Sequence, residues 1–350
     1  MLLFSDTHFE NFSEFATPWK EGCNSRLRSQ LDVLDGIFHL TWLREQKHLI
    51  FLGDWFHRWN AVNTPVYSMV TRRLYDLLDR NSDVKLYMLL GNHDMPDKGN
   101  WAVHTLAAYS VHPSITVIDK PTTIQIDGHC CIFVPYHQNH DIIFSEVQRL
   151  SKLFSGNAWL FSHLDIIGAR ICLDGGKWKS DIGLNINSLG DHVTGGIFGH
   201  YHIPQELDEK TVPGFSYVGA PMHLSTVDAN TNDRRVLQLE KGVVTTHVLK
   251  GTPQFIKFSA DDPPSTIRPE DYHIITCKPE DAAEVWYKYN KEKISMKVAC
   301  SKRNDDSILS VDPTNDVDMV KAWTRSHKGM CELDMAMLLN YAEYYMGLET

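Results

Sequence analysis

Short apolar runs alternate with helical patterns along the first two thirds of the chain. The runs MLLFSD, HLIFLGD, VKLYMLLGN, AWLFSH and GGIFGH have the length and composition of buried strands. Apolar residues recur at helical spacing within 25–46, 64–81 and 141–154, with Pro65 in the first turn of the second segment. Residues 115–136 read as two strands joined by a turn, and 234–249 as a hairpin around Lys241-Gly242. This alternation predicts an α/β layered core.

The composition and the pattern of predicted elements change after about residue 250. A connection rich in Pro and Asp, DDPPSTIRPED, leads into the small α/β pattern YHIITC, AEVWYKYNKEK and ISMKVAC, and then into helical patterns near 316–326 and 332–347. We therefore expect a core domain over 1–250, a small α/β domain over 251–326 and a C-terminal helix within 327–350.

Charge and composition narrow the classes of function. The net charge is −10, whereas nucleic-acid binders usually carry a basic surface. Either the substrate is small, or bound divalent cations and a partner supply the positive field. No apolar run approaches the length of a membrane span and the first residues lack a basic n-region, so we expect an intracellular protein. Seven scattered cysteines without a C-x-x-C argue against a thiolate zinc site, while 18 histidines suggest metal chemistry.

Metal-binding side chains follow five of the predicted strands. The segments FSDTH, FLGDWFH, LLGNHD, LFSH and IFGHYH each end an apolar run and begin a polar turn. Open α/β sheets place their ligands at the carboxyl ends of strands, and alternate residues in a strand share a side. We expect one site built from Asp6, His8, Asp54, Asn92, His163, His200 and His202.

The residue types in this set suit a hydrolytic metal centre. Asp54 follows a glycine, which lets the backbone turn tightly, and a carboxylate can bridge two cations. Asn92 offers a neutral oxygen, His93 is free for acid–base work, and Asp94 can hold that imidazole in one tautomer. Any one of these motifs fits a buried or turn residue that binds nothing. The full set, in this order at strand ends, does not.

Together the motifs D-x-H, G-D, G-N-H-D, H and G-H-x-H resemble the calcineurin-like metallophosphoesterase superfamily over roughly residues 1–225. The resemblance implies a four-layer α/β/β/α sandwich and two cations that clamp a phosphate between them. Oxygen and imidazole ligands suit Mn2+, with Mg2+ or other ions as alternatives. His93 would protonate the leaving oxygen or stabilise its charge. One cation would be bound by Asp6, His8, Asp54 and His202, and the other by Asp54, Asn92, His163 and His200.

Two further segments resemble the SbcD-type double-strand-break nucleases, most of all the phage recombination-nuclease subunits. In LGDWFHRWNAVNTPV the pattern GD-x-F-H is followed by Asn and Pro, and the resemblance implies that His57 orients a DNA phosphodiester. YVGAPMHLS, at 217–225, is similar to the family's YPGSP-type segment but departs from it at Val218 and Ala220. Such nucleases carry a small capping domain, expected here at 251–326, and helices that dock on an SbcC-like SMC-type ATPase.

The C-terminal helix pattern fits that docking role, although such a stripe equally fits a core helix. The sequence has no G-x-x-x-x-G-K-[ST] phosphate loop, so we do not expect this chain to run an ATP cycle of that type itself. The apolar stripe comprises Leu333, Met337, Leu338, Tyr341, Tyr344, Tyr345 and Leu348.

We therefore expect a Mn2+-dependent DNA exonuclease and endonuclease of recombination, repair or degradation. It would be a homodimer within a heterotetramer, in the cytoplasm (the host's, if the chain is phage-encoded). The alternatives are a free-standing phosphodiesterase or nucleotidase for small phosphate esters, and a non-catalytic scaffold, against which the intact ligand set argues. The candidate DNA contacts, for which a solvated surface is the other interpretation, are Arg26, Arg28, Arg58, Lys177 and Lys179.

Overall fold

The structure is a computed structural model that describes residues 1–154, 158–171, 179–189, 193–207, 214–231, 234–291 and 295–300. Its α-helices are α1 (Ser25–Leu43), α2 (Thr64–Arg80), α3 (His140–Ser151) and α4 (Ala282–Lys291). Its strands are β1 (Leu2–Phe4), β2 (His48–Phe51), β3 (Lys85–Leu89), β4 (Ile115–Ile118), β5 (Thr122–Ile126), β6 (His129–Val134), β7 (Ala158–His163), β8 (Val193–Gly199), β9 (Gln205–Glu206), β10 (Phe215–Tyr217), β11 (Arg235–Glu240), β12 (Val243–Val248), β13 (Phe255–Ser259), β14 (Tyr272–Cys277) and β15 (Ser295–Cys300).

Two six-stranded sheets form the first part of the molecule. The first has the order β12-β11-β1-β2-β3-β4, in which β1 to β4 run parallel and β11 pairs antiparallel with β1. The second has the order β5-β6-β7-β8-β10-β9, with β6, β7, β8 and β10 parallel. The parallel strands of each sheet therefore bring their carboxyl ends to one edge.

Alternation along β1 explains how the layers stack. Leu2 and Phe4 pack with the residues of α1 and α2, while Leu3 between them packs into a cluster that holds Phe133 and Phe161 of the second sheet. The two sheets therefore pack face to face, and α1 and α2 cover the outer face of the first. On the outer face of the second sheet, the apolar side of α3 packs against β6 and β7. This arrangement is the expected four-layer α/β/β/α sandwich.

The helix starts follow their capping residues. The Asn24 side chain accepts from the backbone N–H groups of Arg26 and Leu27, which begins α1 at the predicted place. Asn63 caps α2 in the same way, and Pro65 lies in its first turn. α1 ends at Leu43, three residues before the predicted end. None of the helices in the described ranges is long and apolar enough to span a membrane.

Residues 115–136 form three strands, so the prediction of two strands was wrong. β4 ends before Pro121, which cannot donate to a sheet ladder, and the chain then leaves the first sheet. β5 and β6 pair antiparallel in the second sheet around Asp127-Gly128, both with positive φ. The predicted hairpin of β11 and β12 around Lys241-Gly242 is confirmed.

A third sheet follows the sandwich and corresponds to the small α/β pattern of the sequence. β13, β14 and β15 run parallel, and α4 connects the last two strands. The predicted α/β pattern is confirmed, with β13 as an additional strand. The domain boundaries stay a prediction, and the helical patterns of 316–326 and 327–350 lie outside the described residues.

Candidate metal centre

The seven predicted ligands meet at the carboxyl ends of strands from both sheets. Asp6 and His8 follow β1, Asp54 follows β2, and Asn92 follows β3. His163 is the last residue of β7, and His200 and His202 follow β8. The edges of the two sheets face each other at this point, so side chains nearly two hundred residues apart become neighbours.

The first group contains Asp6, His8 and His202, whose ligand atoms all lie within 4.8 Å of one another. The Nε2 atoms of His8 and His202 face each other at 3.1 Å. Asp54 Oδ2 lies 3.3 Å from His8 Nε2, and Asp6 Oδ1 lies 3.9 Å from it. Two imidazole nitrogens and two carboxylates that converge in this way fit a divalent cation.

The second group is centred on Asn92. Its Oδ1 lies 2.9 Å from His163 Nε2 and 2.9 Å from His200 Nδ1. Asp54 Oδ2 lies 3.4 Å from His163 Nε2, so one carboxylate oxygen faces both groups. The arrangement matches the bridging role expected for Asp54. Among the described residues no cysteine belongs to either group, and the donors are oxygen and imidazole nitrogen throughout.

The surroundings lower the pKa of His8 and raise the pKa of His163. Burial lowers the pKa of His8 well below its usual value, so its Nε2 lone pair is available at neutral pH. Burial also opposes charge on His163, but the Asp54 carboxylate outweighs it and raises the pKa of His163 to about 9. A cation bound beside Asp54 would replace that proton.

Four of the candidate ligands have a left-handed backbone. The φ angles are 53° at Asp6, 44° at His8, 65° at Asp54 and 104° at His200, which are unfavourable for residues other than glycine. Each such residue costs about 1–3 kcal/mol unless the surroundings hold it. Here the Asp6 N–H donates to Gly53 and the His8 N–H to Asp54, each at 3.0 Å. Strain of this kind is typical of functional sites.

Two glycines allow the ligand loops to approach closely. At Gly53, where φ is 101°, a Cβ atom would lie 2.4 Å from His163 Nδ1. At Gly91 a Cβ atom would lie 2.2 Å from Asp54 Oδ1 and 2.5 Å from Asp54 N. The glycine before Asp54 and the glycine before Asn92 are therefore required by packing around the site.

His93 lies beside the first group, but Asp94 does not orient it. The His93 ring centroid is 4.7 Å from that of His8, and its Nδ1 hydrogen-bonds to the backbone carbonyl of His57. The Asp94 carboxylate instead accepts from the backbone N–H groups of Asp54, Trp55 and Gly91 at 2.8, 3.0 and 2.8 Å. The prediction that Asp94 holds the His93 ring was wrong, because the buried carboxylate is occupied by the turns that carry the ligands.

His57 lies on the exposed rim of the centre. Its ring stacks on His93 at 5.5 Å with an interplanar angle of 24°, and lies 5.4 Å from the ring of His8. Phe12 packs edge-on against its other side at 5.0 Å. Burial of part of the ring and the neighbouring His93 lower the pKa of His57, which favours its neutral form. The structure thus places the stacked rings of His57 and His93 at the rim, with the buried ring of His8 beside them.

Arg26, a predicted DNA contact, is buried and serves the fold instead. Its guanidinium donates to the carbonyl oxygens of Glu14 at 3.0 Å and Leu224 at 2.7 Å. It also faces the rings of Phe255 at 5.0 Å and Tyr272 at 4.6 Å, which joins α1 to the third sheet. The expectation that Arg26 contacts DNA was therefore wrong.

Three of the other four basic candidates are at the surface, and two of these three have acidic partners. Arg58 Nε pairs with Glu10 at 2.7 Å, and Arg28 lies 3.8 Å from Asp32 on α1. Lys179 is exposed, and Lys177 lies outside the described residues. Their role in binding DNA stays a prediction.

Asp165 belongs to this site, although the sequence did not single it out. Its Oδ1 lies 3.2 Å from His200 Nε2 and accepts from the Tyr201 hydroxyl at 2.8 Å. The signal was available in the spacing His163-x-Asp165, which repeats the alternate-residue pattern of Asp6-x-His8. It was missed because an aspartate in a turn usually caps or faces solvent.

Residues 1–204 match the family model of the calcineurin-like phosphoesterases, and the chain belongs to that family. It is therefore a metal-dependent hydrolase of phosphate esters. Among solved structures it is similar to a dimetal phosphatase from Danio rerio, with 11% identity, 71% of this chain and 95% of that chain covered, and a TM-score of 0.44. It is also similar to a Thermotoga maritima protein solved by NMR, with 16% identity, 71% and 96% covered, and a TM-score of 0.29. No curated protein matches the sequence.

Proposed function

We propose that this phosphoesterase is a DNA nuclease subunit that hydrolyses phosphodiesters with two divalent cations, Mn2+ being the best fit. The observation that carries the proposal is the pair of stacked imidazoles, His57 and His93, at the open rim of the centre. A phosphodiester within a polymer needs donors that hold its backbone beside the reacting phosphate. His57 is exposed and adjoins the centre, so it can serve a long substrate there.

The residues of the site fit two cations. Asp6, His8, Asp54 and His202 would hold one, and Asp54, Asn92, His163 and His200 the other. Bound cations would polarise the phosphoryl oxygens and neutralise the charge that develops during hydrolysis. The oxygen and imidazole donors suit Mn2+, and Mg2+ is the main alternative.

The chain's own acid–base group is His93. Since the carbonyl oxygen of His57 accepts from Nδ1, the proton on that nitrogen is fixed and Nε2 is left for the substrate. A protonated His93 can then donate from Nε2 to the leaving oxygen. His57 would donate a hydrogen bond to a non-bridging oxygen of the same phosphodiester and keep it in line.

A specific observation favours a second candidate, a free-standing phosphodiesterase for small esters. Arg26 is buried, and Arg58 is paired with Glu10 on the rim itself. Small substrates need fewer basic contacts than DNA, and the net charge of −10 is compatible with them. The DNA proposal therefore requires that cations or a partner chain supply positive charge.

We propose that an SbcC-like ATPase is this partner and that the nuclease acts as a homodimer within the complex. Residues 327–350, which lie outside the described residues, are the candidate docking segment. Deleting 327–350 should abolish co-purification with the ATPase and leave hydrolysis of small diesters intact. Unchanged co-purification would assign the apolar stripe to the interior of the subunit.

The activity is tested with purified chain, Mn2+ and two substrates, linear duplex DNA and bis(4-nitrophenyl) phosphate. The proposal expects both to be cleaved, and His93→Ala to abolish both. Cleavage of the small diester with DNA left intact, with Mn2+ or Mg2+ and with the ATPase and ATP present, would reject the nuclease and favour the small-ester enzyme.

A further inference from the structure

Asp165 forms a hydrogen-bonded cluster behind the second group of ligands. Its Oδ1 contacts His200 Nε2 at 3.2 Å and the Tyr201 hydroxyl at 2.8 Å. Its Oδ2 lies 3.3 Å from Nε2 of His140, the first residue of α3. The Asp165 side chain is 13% exposed. The carboxylate is therefore largely removed from water and surrounded by groups that can donate to it.

The two ring nitrogens of His200 face opposite ways. Nδ1 lies 2.9 Å from Asn92 Oδ1, on the side of the candidate ligands, while Nε2 faces Asp165. An ionised carboxylate accepts hydrogen bonds but cannot donate one. Asp165 therefore favours the His200 tautomer that carries its proton on Nε2 and keeps the lone pair on Nδ1. The contact thus selects the tautomer that binds a cation and restrains rotation of the ring.

The other ligand histidines have different support. His163 Nδ1 donates to the Leu52 carbonyl oxygen at 2.7 Å, while its Nε2 faces the site. Its two ring nitrogens thus have the same roles as those of His200, but the acceptor behind the ring is uncharged. His8 Nδ1 is buried and has no hydrogen-bond partner among the described residues. The carboxylate behind His200 is a stronger acceptor than a backbone carbonyl because it carries charge.

The backbone around Asp165 is fixed before any ligand arrives. The Leu184 N–H donates to the Asp165 carbonyl oxygen at 2.9 Å. Gly183, with φ of 111°, approaches so closely that a Cβ atom there would lie 2.2 Å from this oxygen. A main chain held this tightly keeps the carboxylate in place, which lowers the entropic cost of ordering the ligand ring.

We propose that Asp165 is a positioning residue that orients His200 and strengthens the binding of the second cation, the one shared by Asp54, Asn92, His163 and His200. The proposal rests on the two-cation centre proposed above. It does not depend on DNA as the substrate, since it concerns the affinity for the metal alone.

The test is a calorimetric titration of the metal-free chain with Mn2+, comparing wild type, Asp165→Asn and Asp79→Asn. Asp165→Asn should weaken one of two sites by about 10- to 100-fold and leave the other unchanged. Asp79→Asn is the matched control, because Asp79 also lies 3.5 Å from a histidine nitrogen, that of His112, but on an exposed part of α2. Excess Mn2+ should restore most of the turnover of Asp165→Asn.

Tyr201→Phe provides a second variant, since it removes only one donor to the same oxygen. It should weaken the same site by a smaller factor than Asp165→Asn. Far-UV circular dichroism and melting without metal should match wild type for both variants. Equal Mn2+ affinities in wild type and variants, or a single Mn2+ site in wild type, would overturn the proposal. Intact DNA alongside the expected titrations would reject the nuclease and leave Asp165 in its positioning role.

Discussion

His93 Nδ1 donates to the backbone carbonyl oxygen of His57, the residue whose ring also stacks on it. One segment therefore sets the tautomer of His93, the proposed general acid, through its main chain and lines the rim through its side chain. A shift of the 57–62 loop would change both functions at once.

His93→Ala should abolish hydrolysis and leave the cations bound. The variant removes the Nε2 proton donor but none of the seven ligands, so we expect about a 100- to 10,000-fold loss in kcat. Turnover of bis(4-nitrophenyl) phosphate and a Mn2+ titration measure the two effects. A loss of Mn2+ affinity equal to that of His8→Ala would make His93 a ligand rather than an acid.

Asp94→Asn should destabilise the fold. Burial and the nearby Asp54 carboxylate raise the pKa of Asp94 to about 7, against the effect of the backbone N–H groups that donate to it. An amide would offer one acceptor oxygen to three donors, and we expect a loss of about 2 kcal/mol or more. Urea unfolding measures it, with the exposed Asp97→Asn as the control. Unchanged stability with reduced kcat would instead support an orienting role for Asp94.

His57→Ala should impair removal of nucleotides from DNA more than cleavage of a small diester. The ring lies at the exposed rim, 5.4 Å from the ring of His8, and is not one of the predicted ligands. A small diester can reorient freely over the cations, whereas a polymer needs a fixed contact. The two rates are measured on one preparation. Equal losses on both substrates would contradict a role in orienting DNA.

Gly91→Ala should disrupt the site, because its Cβ atom would meet the Asp54 carboxylate at 2.2 Å. We expect weaker Mn2+ binding, lower turnover and reduced stability. Gly36→Ala is the matched control, since a Cβ atom in that helical position meets nothing within 4 Å. The control should be neutral or stabilise α1 by about 0.5–1 kcal/mol. Similar behaviour of the two variants in thermal melting and Mn2+ titration would show that the close approach is not required.

His223 should make the fold sensitive to acid. Burial and the neighbouring Arg234 lower the pKa of His223 to about 4, and its Nδ1 accepts from the Phe255 N–H at 3.1 Å. In the unfolded chain a histidine has a pKa of about 6.5. As the pH falls, the unfolded chain therefore takes up a proton at His223 before the folded chain does. The contribution of neutral His223 to the free energy of unfolding is complete above the unfolded pKa, and it is lost as the pH falls toward the folded pKa of about 4.

The measurement is urea unfolding at two pH values in wild type and His223→Asn, with EDTA present. Between about pH 7 and about pH 5 the wild type should lose about 2 kcal/mol more than the variant. Asparagine keeps an acceptor for Phe255 but does not titrate. Parallel losses in the two proteins would show that His223 is not the group responsible.

Local patterns were enough to predict the α/β layers and the strand ends at which the candidate ligands lie. The apolar runs before Asp6, Asp54 and Asn92 are too apolar for surface loops, and parallel strands must deliver their ends to one edge. Apolar residues at helical spacing, with Pro65 in the first turn of the second segment, similarly predicted α1 and α2. The sequence predicted two strands in residues 115–136 where the structure has three. The chain passes from the first sheet to the second between β4 and β5, and apart from Pro121 no local feature of the sequence indicates this.

The partners of individual side chains lay beyond the reach of the sequence. Arg26 looks like a surface cation in the sequence, yet Phe255 and Tyr272, more than two hundred residues away, enclose it. Asp94 is next to His93 in the chain, but its carboxylate accepts hydrogen bonds from backbone N–H groups. The His93 ring donates instead to the backbone carbonyl oxygen of His57.

The sequence by itself determined the chemistry of this protein, because residue types at strand ends specify which atoms can bind cations and move protons. Tertiary structure decided how those atoms are oriented. Hydrogen bonds to main-chain carbonyl groups set the tautomers of His93 and His163, and the fold placed Asp165 behind His200. Such contacts depend on distances between segments remote in the chain, which no local pattern of residues encodes.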